Sequence, residues 1–293
     1  MLKYWICWVN DMKTLSTVHG AISIVNAIAT GQGSALGISL ETCAEVTLTS
    51  DNLVEVIINN DKSENIGLAQ ECFKLVKMKT SESCGAKIIV NSDIPIGRGL
   101  KSSSAAATAI ILSCLKAFEI VMTEKEILDL SVQASKNSGV TITGALDDTA
   151  ACFLGGLVVT NNSSNELLSR VIVNDDYSIL IHVPNHKSYT KDVNYSGSDE
   201  FIHSLDTLIS MALEGNYLSA MSLNGMIYSR ILKQSNESAI LALKNNALAA
   251  GLSGTGPSVG VICLSENKSS ILDSWKNLDG DIITAKINNE KGL

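Results

Sequence analysis

Two stretches of this sequence combine residue types that suit phosphate chemistry. The first, "PIGRGLKSSSAAATAII" (Pro95 to Ile111), sets Gly97 and Gly99 directly ahead of three serines and an alanine-rich apolar run. Glycine lets backbone adopt positive φ and approach a ligand. Ser102, Ser103 and Ser104 then open a helix, whose first N–H groups lack partners and whose dipole favours negative charge. A bound anion answers that pattern; a glycine turn followed by a serine cap is the structural alternative. The second stretch, "GVTITGALDDTAACFLGG", carries adjacent carboxylates, Asp147 and Asp148, among small and apolar residues. Asp favours turns, so a turn is the bland reading. Two charges in such surroundings are unfavourable unless they are used or paired. A third block, "AGLSGTGPSVG" (Ala250 to Gly260), is a second glycine-rich turn leading into a strand.

The elements that position these blocks follow from periodicity. "CAEVTLT" and "LVEVII" read as short β-branched strands and are expected to be antiparallel neighbours. "SENIGLAQECFKLVKMK" has helical apolar spacing at Ile66, Ala69, Phe73 and Val76, entered from Ser63. "AKIIVNSDIP" is a strand running into the first glycine block, and "SSSAAATAIILSCLKAF" is apolar enough to be a buried helix. "TEKEILDLSVQASKNSG" is a helix with Thr123 as N-cap, Glu126 completing a capping box and Gly139 closing it. After "FLGGLVVTNN" come strands at "LLSRVIV" and "YSILIHVP". Helices follow at about Glu200–Glu214, Tyr217–Ser229 and Glu237–Ala249, then the strand "VGVICLS" and a closing helix and strand. The polar run "NNSSN" (Asn161 to Asn165) is the expected connection between two halves. Mixed strands and helices without a regular βαβ rhythm favour α+β.

The whole chain bounds its partners. At 293 residues with 45% hydrophobic and 18% charged residues it has ample core material for two domains or one large one. Aromatics make up 4%, so the core is aliphatic. A net charge of −8 without a basic run argues against a nucleic-acid partner and means that any anion site is built locally. Seven scattered cysteines without a C-x-x-C pair fit reduced thiols rather than disulfides or zinc. The apolar patch Trp5 to Val9 is too short for a signal segment or a membrane span. A cytoplasmic protein, monomer or homodimer, is expected.

Pro-x-x-x-Gly-Leu-x-Ser-Ser, an Asp ahead of Gly-Gly, and a late Gly-x-Ser-Gly-x-Gly-Pro resemble the motifs of the GHMP kinases. Within that superfamily "GLKSSSA", "GVTITGALDD" and "HGAISIVNAIATGQGSALGISL" are similar to the archaeal type of shikimate kinase. The resemblance runs from about Met12 to the end; lysine at position 101, where most of the superfamily has glycine, and the paired Asp are its specific marks. It implies a two-lobed α+β fold with the active site in the inter-lobe cleft. An N-terminal extension (1–11), expected to be dispensable, would precede an N-terminal domain with the phosphate loop (12–160) and a C-terminal domain (161–293).

The implied activity is ATP- and Mg²⁺-dependent phosphorylation of the 3-hydroxyl of shikimate, in aromatic amino-acid biosynthesis. A homoserine-type kinase, or a non-catalytic metabolite sensor on the same fold, is the alternative. By resemblance Pro95, Ile96, Gly97, Arg98, Gly99, Leu100, Lys101, Ser102, Ser103, Ser104 and Ala105 would wrap the ATP phosphates, with the Ser103 hydroxyl on Mg²⁺. Lys101 would add a cation near the phosphates or the acceptor, unless it is a solvated loop side chain. Asp148 would face the acceptor hydroxyl, with Asp147 as its partner. Thr143, Tyr189, Gly254 and Thr255 would contact the acceptor. One departure stands out: related kinases carry a glutamate metal ligand where this chain has Asn137, leaving the second protein ligand of the metal open. Shikimate also bears a carboxylate, for which the chain has only Arg98, Arg170 and Arg230 as bidentate partners.

Overall fold

Strand β1 (Thr14–Val25) alternates in burial over its first half and is buried throughout from Gly20 onward. Its second half must therefore be covered on both faces. The computed structural model describes residues 13–60, 66–141, 143–186 and 198–293. In it β1 runs antiparallel to β2 (Gln32–Thr49). Strand β2 is long enough to pair β4 (Gly85–Ser92) along its second half and β5 (Leu157–Asn161) along its first. Beyond β4 lies β3 (Val54–Ile58), and β6 (Glu166–Val171) closes the other edge of this six-stranded sheet. A second sheet has the order β10-β7-β9-β8, from β7 (Tyr177–Val183), β8 (Ala249–Leu252), β9 (Val259–Leu264) and β10 (Asp281–Lys286).

Helices fill the space around β1. One group is α1 (Gly67–Lys77), α2 (Ser102–Ala117), α3 (Glu124–Asn137) and α4 (Leu146–Leu154), of which α2 and α4 pack on both β1 and β2. A second group, α5 (Ile202–Leu213) and α6 (Tyr217–Ile231), also reaches β1, and α6 continues onto β8. Helices α7 (Glu237–Lys244) and α8 (Lys268–Ser274) complete the fold. Alternation along β7 serves two cores. Ile179, Ile181 and Val183 join the main core with Ile22, Leu36 and Phe153. Leu180 faces the opposite way, into a smaller core with Val261 and Trp275. Trp275 is fully buried and its indole N–H is satisfied by the Ser238 carbonyl at 2.9 Å.

The capping box at α3 forms as expected, with the Thr123 hydroxyl on the Glu126 N–H and the Glu126 carboxylate returning to Thr123. Other expectations need correction. "CAEVTLT" and "LVEVII" are not antiparallel neighbours: β4 lies between them, and β3 pairs β4 in parallel through the α1 crossover. Among the described residues one βαβ unit thus sits in an otherwise antiparallel arrangement, which a single parallel pair cannot announce by rhythm. Residues 161–165 do not connect two halves; they hold the turn of the β5–β6 hairpin. The six-stranded sheet therefore continues to Val171, and the chain passes to the second sheet between Val171 and Tyr177. The helix expected to reach Ala249 ends at Lys244, and Ala249 opens β8. Asp147 and Asp148 stand not in a turn but in the first turn of α4, where the helix dipole favours their charge. Residues 1–11 and Ser63 lie outside the described residues.

Candidate active site

The glycine blocks, far apart in sequence, meet. The Ser253 hydroxyl donates to the Gly99 carbonyl at 2.7 Å, and the Ser258 N–H donates to the Arg98 carbonyl at 3.2 Å. Gly99 has φ +80, and a Cβ there would lie 2.1 Å from the Ser253 carbonyl oxygen. Only glycine satisfies both demands. Gly99→Ala is accordingly expected to destabilise the protein by roughly 1–3 kcal/mol. A thermal melt reads that as a drop of several degrees, and an unchanged melting temperature would show that the two blocks are not in this contact.

Beside this junction opens a cleft of about 670 Å³, within the size range of small-molecule sites. Ser102, Ser103 and Ser104 line it at the start of α2. Helix α2 has no side-chain cap, and its first intrahelical bond is from Ala105 N–H to the Lys101 carbonyl. Among the described residues the N–H groups of the three serines have no protein partner, in contrast to α3, where the Glu126 N–H is bonded to the Thr123 hydroxyl. Part of the wall is apolar, from Ile58, Leu68, Val90 and Ile110.

Lys101 is the N-cap residue of α2 and takes a left-handed conformation, φ 68, that glycine holds with less strain. Its side chain is not solvated. The ammonium lies 2.8 Å from Asp148 Oδ1 and donates to Ser23 Oγ at 2.7 Å. The pair joins the N-terminal ends of α2 and α4 across the cleft. Burial alone would push the lysine pKa down, but the charges of Asp148 and then Asp147 outweigh it, and the ammonium is held above its ordinary value.

Asp147 is the more buried carboxylate, 4% exposed as a residue. Its Oδ1 accepts from Asn162 Nδ2 at 2.8 Å. Its Oδ2 lies so close to Gly33 that a Cβ there would approach to 2.4 Å. Burial first, then the neighbouring Asp148 charge, pushes its pKa well above the usual carboxylate range, against the pull of Lys101 and Asn162. Asn162 is itself tied down: its Oδ1 accepts from Thr160 at 2.7 Å and its amide reaches the Thr143 hydroxyl at 3.3 Å.

Of the residues singled out by sequence, Ile96, Gly97, Gly99, Lys101 to Ser104, Thr143, Asp147, Asp148, Gly254 and Thr255 line the cleft. Leu100 and Ala105 are buried in the core instead. Tyr189 lies outside the described residues. Two of the three arginines are engaged by carbonyls. The Arg98 guanidinium donates to those of Pro184, Asn185 and His186. Arg170 donates to those of Leu154, Gly155 and Asn289, closing the C-terminal end of α4. Neither is poised for a carboxylate in the cleft. Asn137 turns its amide to Glu71 Oε1 at 2.7 Å, away from the cleft residues. Among the described residues no cluster of three or more metal-ligating side chains forms, so a metal would need phosphate oxygens in its shell. Sequence reasoning missed Ser23, Asn26 and Asn162. Asn26 lines the cleft and donates to the Gly254 carbonyl at 2.9 Å. The available signal was a single hydroxyl, and then a single amide, inside the apolar run "AISIVNAI".

Residues 67–156 match the family model described as the GHMP kinases N terminal domain. A shikimate kinase of Methanothrix thermoacetophila is 36% identical over 95% of this chain and 95% of its own length. One of Methanosarcina acetivorans is 37% identical over 94% of each chain. One of Pyrococcus furiosus is 33% identical over 94% of this chain and 99% of its own. Among solved structures, a homoserine kinase from Cytophaga hutchinsonii superposes with a TM-score of 0.79, covering 99% of both chains at 16% identity. The Methanococcus jannaschii mevalonate kinase gives 0.74, covering 95% of this chain and 98% of its own at 16% identity. The structural likeness carries the two-lobed fold; the sequence identity, sustained over nearly the full length of both partners, carries descent. The chain belongs to the GHMP kinases, in the group formed by these shikimate kinases.

Proposed function

We propose that the protein transfers the terminal phosphoryl group of ATP to the 3-hydroxyl of shikimate. The observation that carries the reading is the Lys101–Asp148 pair, set in a cleft beside the uncapped start of α2. The shikimate kinases it matches along its length supply the acceptor. The homoserine and mevalonate kinases, at 16% identity, share only its fold.

In this reading the free N–H groups of Ser102 to Ser104 and the positive end of α2 hold the phosphates. The apolar wall takes the base. Asp148 sits next to the acceptor hydroxyl, orients it and receives its proton as the new O–P bond forms and the bond to the ADP oxygen breaks. Lys101 holds that carboxylate in place and offsets charge on the transferring group. The donor set suits Mg²⁺: the Ser103 hydroxyl is exposed in the cleft and the Asp148 carboxylate is close by, both hard oxygen ligands. Bound there with phosphate oxygens, the ion would neutralise charge on the transferring phosphoryl group.

Ser103→Ala is expected to raise the Mg²⁺ concentration needed for half-maximal rate and to lower kcat, with nucleotide affinity changed only a few-fold. Calorimetry showing nucleotide binding abolished while turnover per bound complex stays normal would remove the hydroxyl from the metal. Free thiols at Cys43, Cys72, Cys84, Cys114, Cys152 and Cys263 support a reducing, cytoplasmic setting. Among the described residues no helix is long and apolar enough to cross a membrane. The test of function is an ADP-coupled assay with ATP, Mg²⁺ and a panel of shikimate, homoserine and mevalonate. Turnover confined to shikimate supports the reading. Preference for homoserine would replace it, and inactivity towards all three with retained ATP binding would favour a sensor.

A further inference from the structure

We infer that Ser23 is a positioning residue, the fixed point from which the Lys101 ammonium is aimed at Asp148. Ser23 lies in β1 between Ile22 and Ile24, where every other side chain from Ala21 to Val25 is apolar and fully buried. A hydroxyl there needs partners, and it has an unusual set. Its Oγ accepts from Lys101 Nζ at 2.7 Å and from the Gly254 N–H at 2.9 Å, while its own N–H donates to Ser253 Oγ at 3.1 Å. One residue of β1 thus touches the phosphate-loop lysine and the late glycine turn at once. Ser253 extends the chain to the Gly99 carbonyl.

The consequence is geometric. A lysine side chain has four rotatable bonds and does not hold its ammonium in one place unaided. Here a hydrogen bond to Ser23 Oγ on β1 and an ion pair with Asp148 Oδ1 on α4 hold it between two elements. Strand β1 is covered by helices of both groups, so Ser23 sits on a packed element rather than on a loop. Lys101 itself is held in a strained backbone conformation, which persists only where the surroundings over-determine it. Ser23 is not among the residues that line the cleft. Its effect on catalysis passes through Lys101, and to that extent it rests on the phosphoryl-transfer reading.

Ser23→Ala removes one acceptor from a buried ammonium. It is expected to lower kcat by about 10–100-fold while the KM for ATP stays within about threefold. Ser23→Thr, which keeps the hydroxyl, should recover most of the loss. In a Lys101→Met background, Ser23→Ala should change kcat by less than about threefold, because the contact it serves is already gone. The same cycle read by urea unfolding tests the contact without any substrate, so a failure of the acceptor assignment cannot be mistaken for a failure of this proposal. Coupling in both readouts, with rescue by threonine, supports it. Equal losses in the presence and absence of Lys101 would overturn it, since they would assign Ser23 to the Gly254 turn alone. Coupling in unfolding with unchanged kcat for Ser23→Ala would also overturn it.

Discussion

Asp148→Asn is expected to lower kcat by about 10²–10⁴-fold, the usual scale of a general-base contribution, with ATP affinity kept within a few-fold. The amide retains the shape and one acceptor oxygen but loses the negative charge and the ability to take a proton. In the structure the Lys101 ammonium lies 2.8 Å from Asp148 Oδ1, and an uncharged oxygen there holds it less firmly. Both the proton acceptor and the aim of the cation are therefore lost together. The neighbouring carboxylate supplies the control. Asp147 is committed to Asn162 and packed on Gly33, so its amide should cost less in kcat and show its effect chiefly in stability. Single-turnover kinetics on both variants decide between them. A kcat reduced less than about tenfold by Asp148→Asn would leave phosphoryl transfer standing and remove the base assignment. A near-normal Asp148→Asn beside an inactive Asp147→Asn would transfer the role to the other member of the pair.

What the sequence made legible was whatever local chemistry determines. The α3 capping box, the buried character of α2 and the start of that helix at Ser102 follow from side chains within a turn or two of each other. The meeting of the glycine blocks was legible through resemblance, and the structure adds the contact between Gly99 and Ser253. What was not legible is non-local. No spacing rule says that β4 inserts between β2 and β3, because pairing order is decided by packing across the sheet. Asn162 read as part of a polar linker, yet it is buried and bonded to Asp147, fifteen residues earlier. Arg98 and Arg170 looked like candidates for a carboxylate because arginine is a bidentate donor. Their partners turned out to be backbone carbonyls at the C-terminal end of α4 and after β7. Helix α4 escaped because its start has no capping side chain; Ala145 enters it in a left-handed conformation.

Lys101→Met should give the largest combined loss, in stability and in rate. Methionine keeps the length of the side chain and removes the charge. Breaking one partner out of a buried ion pair typically costs about 3–5 kcal/mol, because the remaining charge is left uncompensated. Here two carboxylates remain, one residue apart, and Lys101 is the cation that holds the Asp147 pKa down. A kcat lower by about 10²–10³-fold follows if the ammonium also offsets charge on the transferring group. The pH dependence has a definite sign. The lysine pKa is raised on folding, so its stabilising contribution is complete below the ordinary value of 10.5 and is lost only as pH rises through the folded value. Between pH 5 and pH 8 the lysine therefore stays charged, and the change in its worth argued here comes from Asp147. Asp147 binds its proton more tightly folded than unfolded, so its ionisation destabilises the protein as pH rises from the ordinary carboxylate range to its raised folded value. Without Lys101 that value rises further and the penalty at high pH grows. Urea unfolding of wild type and Lys101→Met at about pH 5 and about pH 8 should thus show the smaller difference at the lower pH, where Asp147 takes up its proton. A stability difference that is the same at both pH values would mean that the lysine acts by packing its stem rather than by charge. A variant as stable as wild type at pH 8 would mean that the two carboxylates do not depend on it, and the aim of the cation in this cleft would have to be reassigned.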